Sequence, residues 1–364
     1  MEGKMGKTET RFVGIDLGKR TCEIAIVSRG GKVTMGNGST TAAGRQKLYQ
    51  KLRLGDKVAL EAGNMAFIMA KEIKATIGCL VYVLNPSRLA LIYGSMKKTD
   101  KEDALKLAHI LEDCKEERLP LVPMPSEQEM KRRKILAGYR RAHQSRNREI
   151  NRLHAFFVAQ GITNKVKKEL AEHNLRKEAI MELSDIERKE AEYLVNSLEE
   201  TDRWIEELEK QMTEESAGDE LIERLQTVPG VGPKTSFAFV AHIAADRFAN
   251  ASQVSNYLGF VPRVYMSGDT VRYGGITKRG NGYLRALLVQ ASWGLIRAKE
   301  GGKLKERYEY MTKEKSIGKK QAIVAIARRL SELLYVLMRD GTNYESKAFM
   351  GCNTGELAQL ALSA

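Results

Sequence analysis

From Phe12 to Gly18 the chain reads FVGIDLG, a short apolar run broken by one charge, Asp16, with glycines at 14 and 18. TCEIAIVS follows, in which Cys22, Ile24 and Ile26 alternate with Glu23, Ala25 and Val27, then Gly30-Gly31 and the stretch from Lys32 to Met35. Period-two alternation about a Gly-Gly turn predicts a hairpin, so three strands open the fold as an antiparallel meander. The pattern then changes to a helical segment over 43–53, a strand from Lys57 to Glu61, a helix over 64–77 and a strand from Leu80 to Leu84. Asn85-Pro86 stops that strand, and a further helix is expected after it. Three strands followed by alternating helices and strands predict an α/β layer with a mixed sheet.

In KKTDKEDALKLAHIL, Thr99 with Glu102 three residues on has the form of a capping box, and Ala104, Leu107, Ala108 and Leu111 supply an apolar face. Asp100 and Asp103 then fall three apart in the first turns, on one side of the helix. The stretch from Leu119 to Ser126, with Pro120, Pro123 and Pro125, is linker-like. A long basic helix is predicted beyond it, through Phe157, with Leu136, Tyr139, Ile150, Leu153 and Phe157 as buried positions. From Ala191, the positions Leu194, Leu198, Thr201, Ile205, Leu208 and Met212 follow at steps of three and four, a coiled-coil seam. It can close within one chain as an antiparallel hairpin or between chains. Pro229-Gly230-Val231-Gly232 sits between two helical patterns, in the manner of a helix-hairpin-helix turn. Five glycines between 268 and 282 mark a flexible or closely approached loop, Asn281 can cap the helix beginning near Tyr283, and an amphipathic helix over 319–338 reads as core.

These patterns divide the chain into 1–125, a basic helix and coiled coil over 126–215, a mostly helical C-terminal domain over 216–345, and a tail over 346–364 expected to be disordered. A length of 364 residues suits two or three domains. Sixty Lys and Arg against 46 Asp and Glu give a formal charge of +14, which favours a polyanionic partner, nucleic acid before membrane. No apolar run approaches the length of a membrane span, and MEGKMGKTET lacks the apolar segment of a signal peptide, so a cytoplasmic location is expected. Four scattered cysteines and five histidines give neither a zinc pattern nor a disulfide framework.

A carboxylate inside an apolar strand is costly unless a cation meets it. Asp16, Glu61 at the end of KVALE, and Asp100 with Asp103 form a set of hard oxygen donors without His or Cys, which suits Mg2+ or Mn2+. Two-metal phosphoryl transfer uses such a set, with ions roughly 4 Å apart touching the attacking and leaving oxygens. The basic helix carries Arg132, Arg133, Arg141, Arg148 and Arg152, with Glu149 its only acid from Lys131 to Phe157, and suits a nucleic-acid backbone. Lys234 stands at the helix start after the Pro-Gly-Val-Gly turn, a place suited to a phosphate. Arg263, Arg272, Lys278 and Arg279 surround the glycine-rich stretch, in which Tyr265 and Ser267 are both candidate nucleophiles by their chemistry.

VGIDLG, LEAGN, LNPS and KTDKEDA occur in the order in which "GID", "EA", "NP" and "KTDxxDA" recur in the DEDD transposases of the one-ten family of insertion sequences. The chain resembles that family over nearly its whole length, departing at Ala62-Gly63-Asn64, where members commonly have Ala-Thr-Gly. The resemblance implies a ribonuclease-H-like (RuvC-like) N-terminal domain holding magnesium on Asp16, Glu61, Asp100 and Asp103. It maps a catalytic serine to Ser267, between the Pro-Arg-x-Tyr and Lys-x-Gly runs, and leaves Tyr265 an orienting or packing role. It further favours closure of the coiled-coil seam between chains, and implies a dimer or tetramer with half-sites meeting between subunits, donor and target DNA as substrates, and a structured non-coding bridge RNA as guide. Rival readings are a RuvC-like junction endonuclease without a covalent intermediate, an RNA-binding scaffold, and a sugar-kinase-like ATPase, since such enzymes also open with a Gly-Ile-Asp-Leu-Gly strand.

Overall fold

The structure is a computed structural model that describes residues 10–63, 65–86, 88–89, 99–165, 167–181, 183–267 and 270–345. Asn64, most of the helix expected after Asn85-Pro86, and the tail over 346–364 therefore lie outside the described residues. The chain divides into two compact units, Met1–Pro125 and Ser126–Ala364.

The first unit is built on five strands, β1 (Arg11–Leu17), β2 (Thr21–Ser28), β3 (Val33–Ser39), β4 (Lys57–Glu61) and β5 (Leu80–Leu84), in the spatial order β3-β2-β1-β4-β5. β1, β2 and β3 form the antiparallel meander, whereas β1, β4 and β5 run parallel because a helix returns the chain between them. Alternation along β1 assigns its side chains to opposite faces. Val13 and Ile15 pack with Ile24, Leu60, Met69 and Ile73, against α1 (Ala42–Tyr49) and α2 (Ala66–Ile77). Phe12, Gly14 and Asp16 point the other way, toward α3 (Asp100–Asp113), whose Ala104, Leu107, Ala108 and Leu111 are buried there with Ala25, Val27 and Ala59. The end of β5 is met by the later stretch around Leu121, through a bridge from Leu84 to Leu121 and the Asn85 amide donating to Pro120 O at 2.8 Å.

The second unit starts with α4 (Glu127–Ala159), capped by a reciprocal Ser126–Glu129 box. After the short α5 (Lys167–Leu170) and α6 (His173–Ile180), α7 (Asp185–Ser216) returns antiparallel along α4. The direction follows from the cross-links: Tyr139 OH to Glu209 at 2.9 Å, Arg146 to Asp202 at 2.5 Å, and Glu149 accepting from Thr201 at 3.1 Å. Ala191, Leu194, Leu198, Ile205, Leu208 and Met212 are all buried within the chain, packed against α4 and, toward the start of α7, against Leu170 of α5 and Ala179 and Ile180 of α6. One core joins Ile135, Leu136 and Leu208 to Phe237, Phe239, Leu284, Leu330 and Leu334. The stretches 126–215 and 216–345 thus share a hydrophobic interior.

That core is completed by α8 (Glu220–Gln226), α9 (Pro233–His242), α10 (Ala251–Tyr257), α11 (Gly282–Arg297), α12 (Gly302–Lys313) and α13 (Lys319–Asp340). Between α10 and α11 the glycine-rich stretch is an antiparallel hairpin, β6 (Pro262–Ser267) and β7 (Thr270–Ile276), and not the loop expected from its composition. The ladder forms because Val264, Tyr265, Met266, Val271 and Tyr273 are strand formers on either side of the turn. α13 is buried along most of its length, as its apolar pattern requires.

Candidate active site

Gly14 explains how the carboxylates of the first unit come together. A methyl group at this position would lie 1.9 Å from Ala104 O, 2.6 Å from Ala108 N and 2.8 Å from Leu107 Cβ. Only glycine lets α3 rest directly on β1, and that contact carries the first turn of α3 to the end of the sheet where Asp16 stands. The turn itself is fixed by Thr99 Oγ1, which accepts from the Glu102 amide at 3.3 Å.

The parallel register supplies the second carboxylate. Ile15 pairs with Leu60, so one position further on Asp16 and Glu61 stand abreast on the face that α3 covers. Burial pushes the Asp16 carboxyl up to about 6, and the negative charges of Asp100, Asp103 and Glu61 add to the rise. All four acids therefore act on one region of the unit. Lys106, which the sequence reading passed over, places Nζ 2.8 Å from Asp103 Oδ1. Its spacing of three from Asp103 on a helix is the signal that would have found it.

Among the described residues no group of three or more acidic, His or Cys side chains stands close enough to hold a metal ion as it is. The chemistry of the donors nevertheless fits one: oxygen ligands only, with Asp16 held above its ordinary value by burial and by the charges of Asp100, Asp103 and Glu61.

Ser267 belongs to the second unit, at the end of β6 opposite Thr270, and is exposed. Pairing of Val264 with Tyr273 and of Met266 with Val271 places these four apolar side chains on one face of the hairpin. Tyr265, Ser267, Thr270 and Arg272 occupy the other. Arg263 joins that second face, because a side chain on Gly274 would meet Tyr265 Cε2 at 3.3 Å and Arg263 Cβ at 3.6 Å. Gly268, next to the serine, lies outside the described residues. Lys278 and Arg279 are exposed where the chain turns toward α11, and Asn281 Oδ1 caps that helix by accepting from the Tyr283 and Leu284 amides.

The basic residues of α4 separate into two groups. Arg141, Arg148 and Arg152 are exposed and fall along one line of the helix at steps of seven and four. Arg132 is a correction: it is 2% exposed and its guanidinium binds Asp219 at 2.5 Å and Glu215 O at 3.3 Å, so it is an internal ion pair and not a surface contact for nucleic acid. Arg133 is half-buried and donates from Nε to Ala241 O at 2.7 Å. Lys234 is likewise engaged, its Nζ meeting Glu209 Oε1 at 2.6 Å and Tyr139 OH at 2.5 Å, which ties α9 to α4 and α7. The Pro-Gly-Val-Gly turn has a packing reason of its own. Gly230 adopts φ 83°, and a methyl there would lie 2.3 Å from Ala291 O and 2.5 Å from Leu295 N, so the turn is pressed onto α11.

Residues 13–162 match a family described as Transposase, of the IS110 DEDD type, and residues 222–309 match the Transposase IS116/IS110/IS902 family. The chain is 27% identical over 355 residues to the transposase for insertion sequence element IS1328 of Yersinia enterocolitica, covering 91% of this chain and 97% of that protein. It is 28% identical over 148 residues to the transposase for IS1111A of Coxiella burnetii, covering 40% and 41%. It is 36% identical over 105 residues to a "Probable family 20 transposase" of Pseudomonas aeruginosa, which is 29% of this chain and 31% of that relative. The class these features define is a DNA transposase, an enzyme of DNA recombination. The chain belongs to the IS110 family of DEDD transposases. Transposases act on DNA, and the DEDD type suggests the use of a divalent metal. No helix among the described residues is long and apolar enough to cross a membrane.

Proposed function

We propose that the protein cuts and rejoins DNA through a covalent Ser267–phosphodiester intermediate, with Mg2+ or Mn2+ on Asp16, Glu61, Asp100 and Asp103, and that a structured non-coding RNA selects its DNA sites. The observation that carries this reading is the convergence of four carboxylates, imposed by the Gly14–α3 contact and the β1–β4 register, on an Asp16 whose carboxyl is raised to about 6. A divalent ion bound there supplies charge to stabilise the phosphorus oxygens of the reacting strand.

The chain's own groups do the rest. Ser267 Oγ bonds to phosphorus while the bond to the strand's sugar oxygen breaks, and that oxygen leaves as a hydroxyl with the proton the serine gives up. Reversal with a different hydroxyl reseals the strand. The exposed position of Ser267 on a short hairpin suits presentation to a bound duplex. Arg263, Arg272, Lys278 and Arg279 neutralise the backbone beside it, and Arg141, Arg148 and Arg152 form a second contact along α4. The sheet order, with an antiparallel three-strand meander continued by parallel strands, supports a ribonuclease-H-like reading of the first unit. The apolar face of the hairpin, with Met266 71% and Tyr273 74% exposed, supports assembly into a homo-oligomer that covers it. The enzyme then acts in the cytoplasm, at the nucleoid, as a dimer or tetramer.

Guidance is tested by expressing the protein with its native flanking DNA and sequencing the RNA that co-purifies. One discrete species from the flank is expected; recovery of bulk cellular RNA, or none, would leave a protein-read recombinase.

A further inference from the structure

At the root of the β6–β7 hairpin is a cavity of about 480 Å³ lined by Pro262, Arg263, Val264, Tyr265, Thr277 and Arg279. Its walls are pinned. The Thr277 amide donates to Val261 O at 2.8 Å, the Lys278 amide to Gly259 O at 3.1 Å, and Arg285 Nη1 holds Arg279 O at 2.8 Å. A methyl group on Gly259 would meet Arg279 O at 2.1 Å, so the backbone of Arg279 is pressed into place while its guanidinium stays exposed. Two features of this cavity have no account in the fold. Thr277 Oγ1 is buried and has no hydrogen-bond partner, a costly arrangement for a hydroxyl. Arg263 and Arg279 face the same space, and among the described residues neither guanidinium has an acidic partner.

Two forked cations and a hydroxyl donor around a polar space match a tetrahedral oxyanion. The cavity is not placed to hold the phosphate that Ser267 attacks. Tyr265 and Arg263 precede Ser267 by two and four strand positions, which puts the cavity roughly 7 to 13 Å away at the usual strand rise. We propose that this cavity seats a phosphate of the DNA strand that flanks the attacked one, with Arg263 and Arg279 taking its charge and Thr277 Oγ1 donating a hydrogen bond. The seat sets the register of the strand against Ser267, and its place beside the attacked phosphate rests on the reading of Ser267 as nucleophile.

The test is binding of a fluorescein-labelled single-stranded DNA of mixed sequence, and of an RNA of the same sequence, by anisotropy between 50 and 200 mM KCl. Arg263→Gln and Arg279→Gln are each expected to lower the slope of log affinity against log salt by about 0.7. Thr277→Val is expected to weaken binding about fivefold at fixed salt while the melting temperature stays or rises, because the unpartnered hydroxyl is gone. A purely structural Thr277 would lose stability and binding together. An unchanged slope in the Arg263→Gln, Arg279→Gln double variant overturns the seat, and a loss confined to RNA overturns its place on the DNA strand. The measurement involves no strand cleavage, so it stands or falls separately from any test of Ser267 as nucleophile.

Discussion

Asp16 and Arg132 show what a single residue reveals in sequence and what it hides. Asp16 stood out because an apolar strand with one carboxylate needs a reason, and in the fold Asp100, Asp103 and Glu61 add their charges to the cost of its burial, which leaves the need for a cation in place. Arg132 did not, because its partners Glu215 and Asp219 lie 83 and 87 residues away on other elements, and the scarcity of acids along its own helix says nothing of those. Lys234 went astray for the same reason, through Glu209. Lys106 is the residue with the clearest untested consequence. Its ammonium lies 2.8 Å from Asp103 Oδ1, so a metal approaching that carboxylate meets a positive charge. Lys106→Met is expected to tighten Mn2+ binding by a few-fold to about tenfold in isothermal titration. Weaker binding by the variant would mean that Lys106 orients Asp103 for the metal instead of competing with it.

At the level of elements, the meander, β4, β5 and the helices α1 to α4, α7, α11 and α13 followed from periodicity and capping, whereas α5, α6, α10 and α12 have no such reading. The serine hairpin did not. Five glycines between 268 and 282 outweighed the strand formers around them in the sequence reading, yet the backbone ladder and the cross-strand pairs hold it as two strands. Gly14 was visible only as part of a motif; its cause is a helix 90 residues on that touches the strand backbone. Gly14→Ala is therefore expected to push α3 off β1. The overpacking costs about 1 to 3 kcal/mol, seen as a lower melting temperature, and metal affinity falls with it because Asp100 and Asp103 ride on α3. Retention of both properties would show that α3 reaches the site without this contact.

On the scale of the whole chain, a formal charge of +14 favoured a polyanionic partner, nucleic acid before membrane, which agrees with the transposase family the chain belongs to. The apolar positions of α7 were read as a coiled-coil seam, favoured by the family resemblance as a contact between chains; in the fold α4, with Tyr139, Arg146 and Glu149 facing Glu209, Asp202 and Thr201, packs on them within the same chain. The four carboxylates and Ser267 belong to separate compact units, so the account requires both to act on one phosphodiester. The most direct measurement is peptide mapping of the DNA adduct. The protein is incubated with its co-purified RNA, Mg2+ and target DNA, digested with nuclease and protease, and analysed by mass spectrometry. A nucleotide-bearing peptide with the adduct on Ser267, lost in Ser267→Ala and in Asp16→Asn, is the result predicted. An adduct on Tyr265, or efficient strand exchange by Ser267→Ala, would contradict the account.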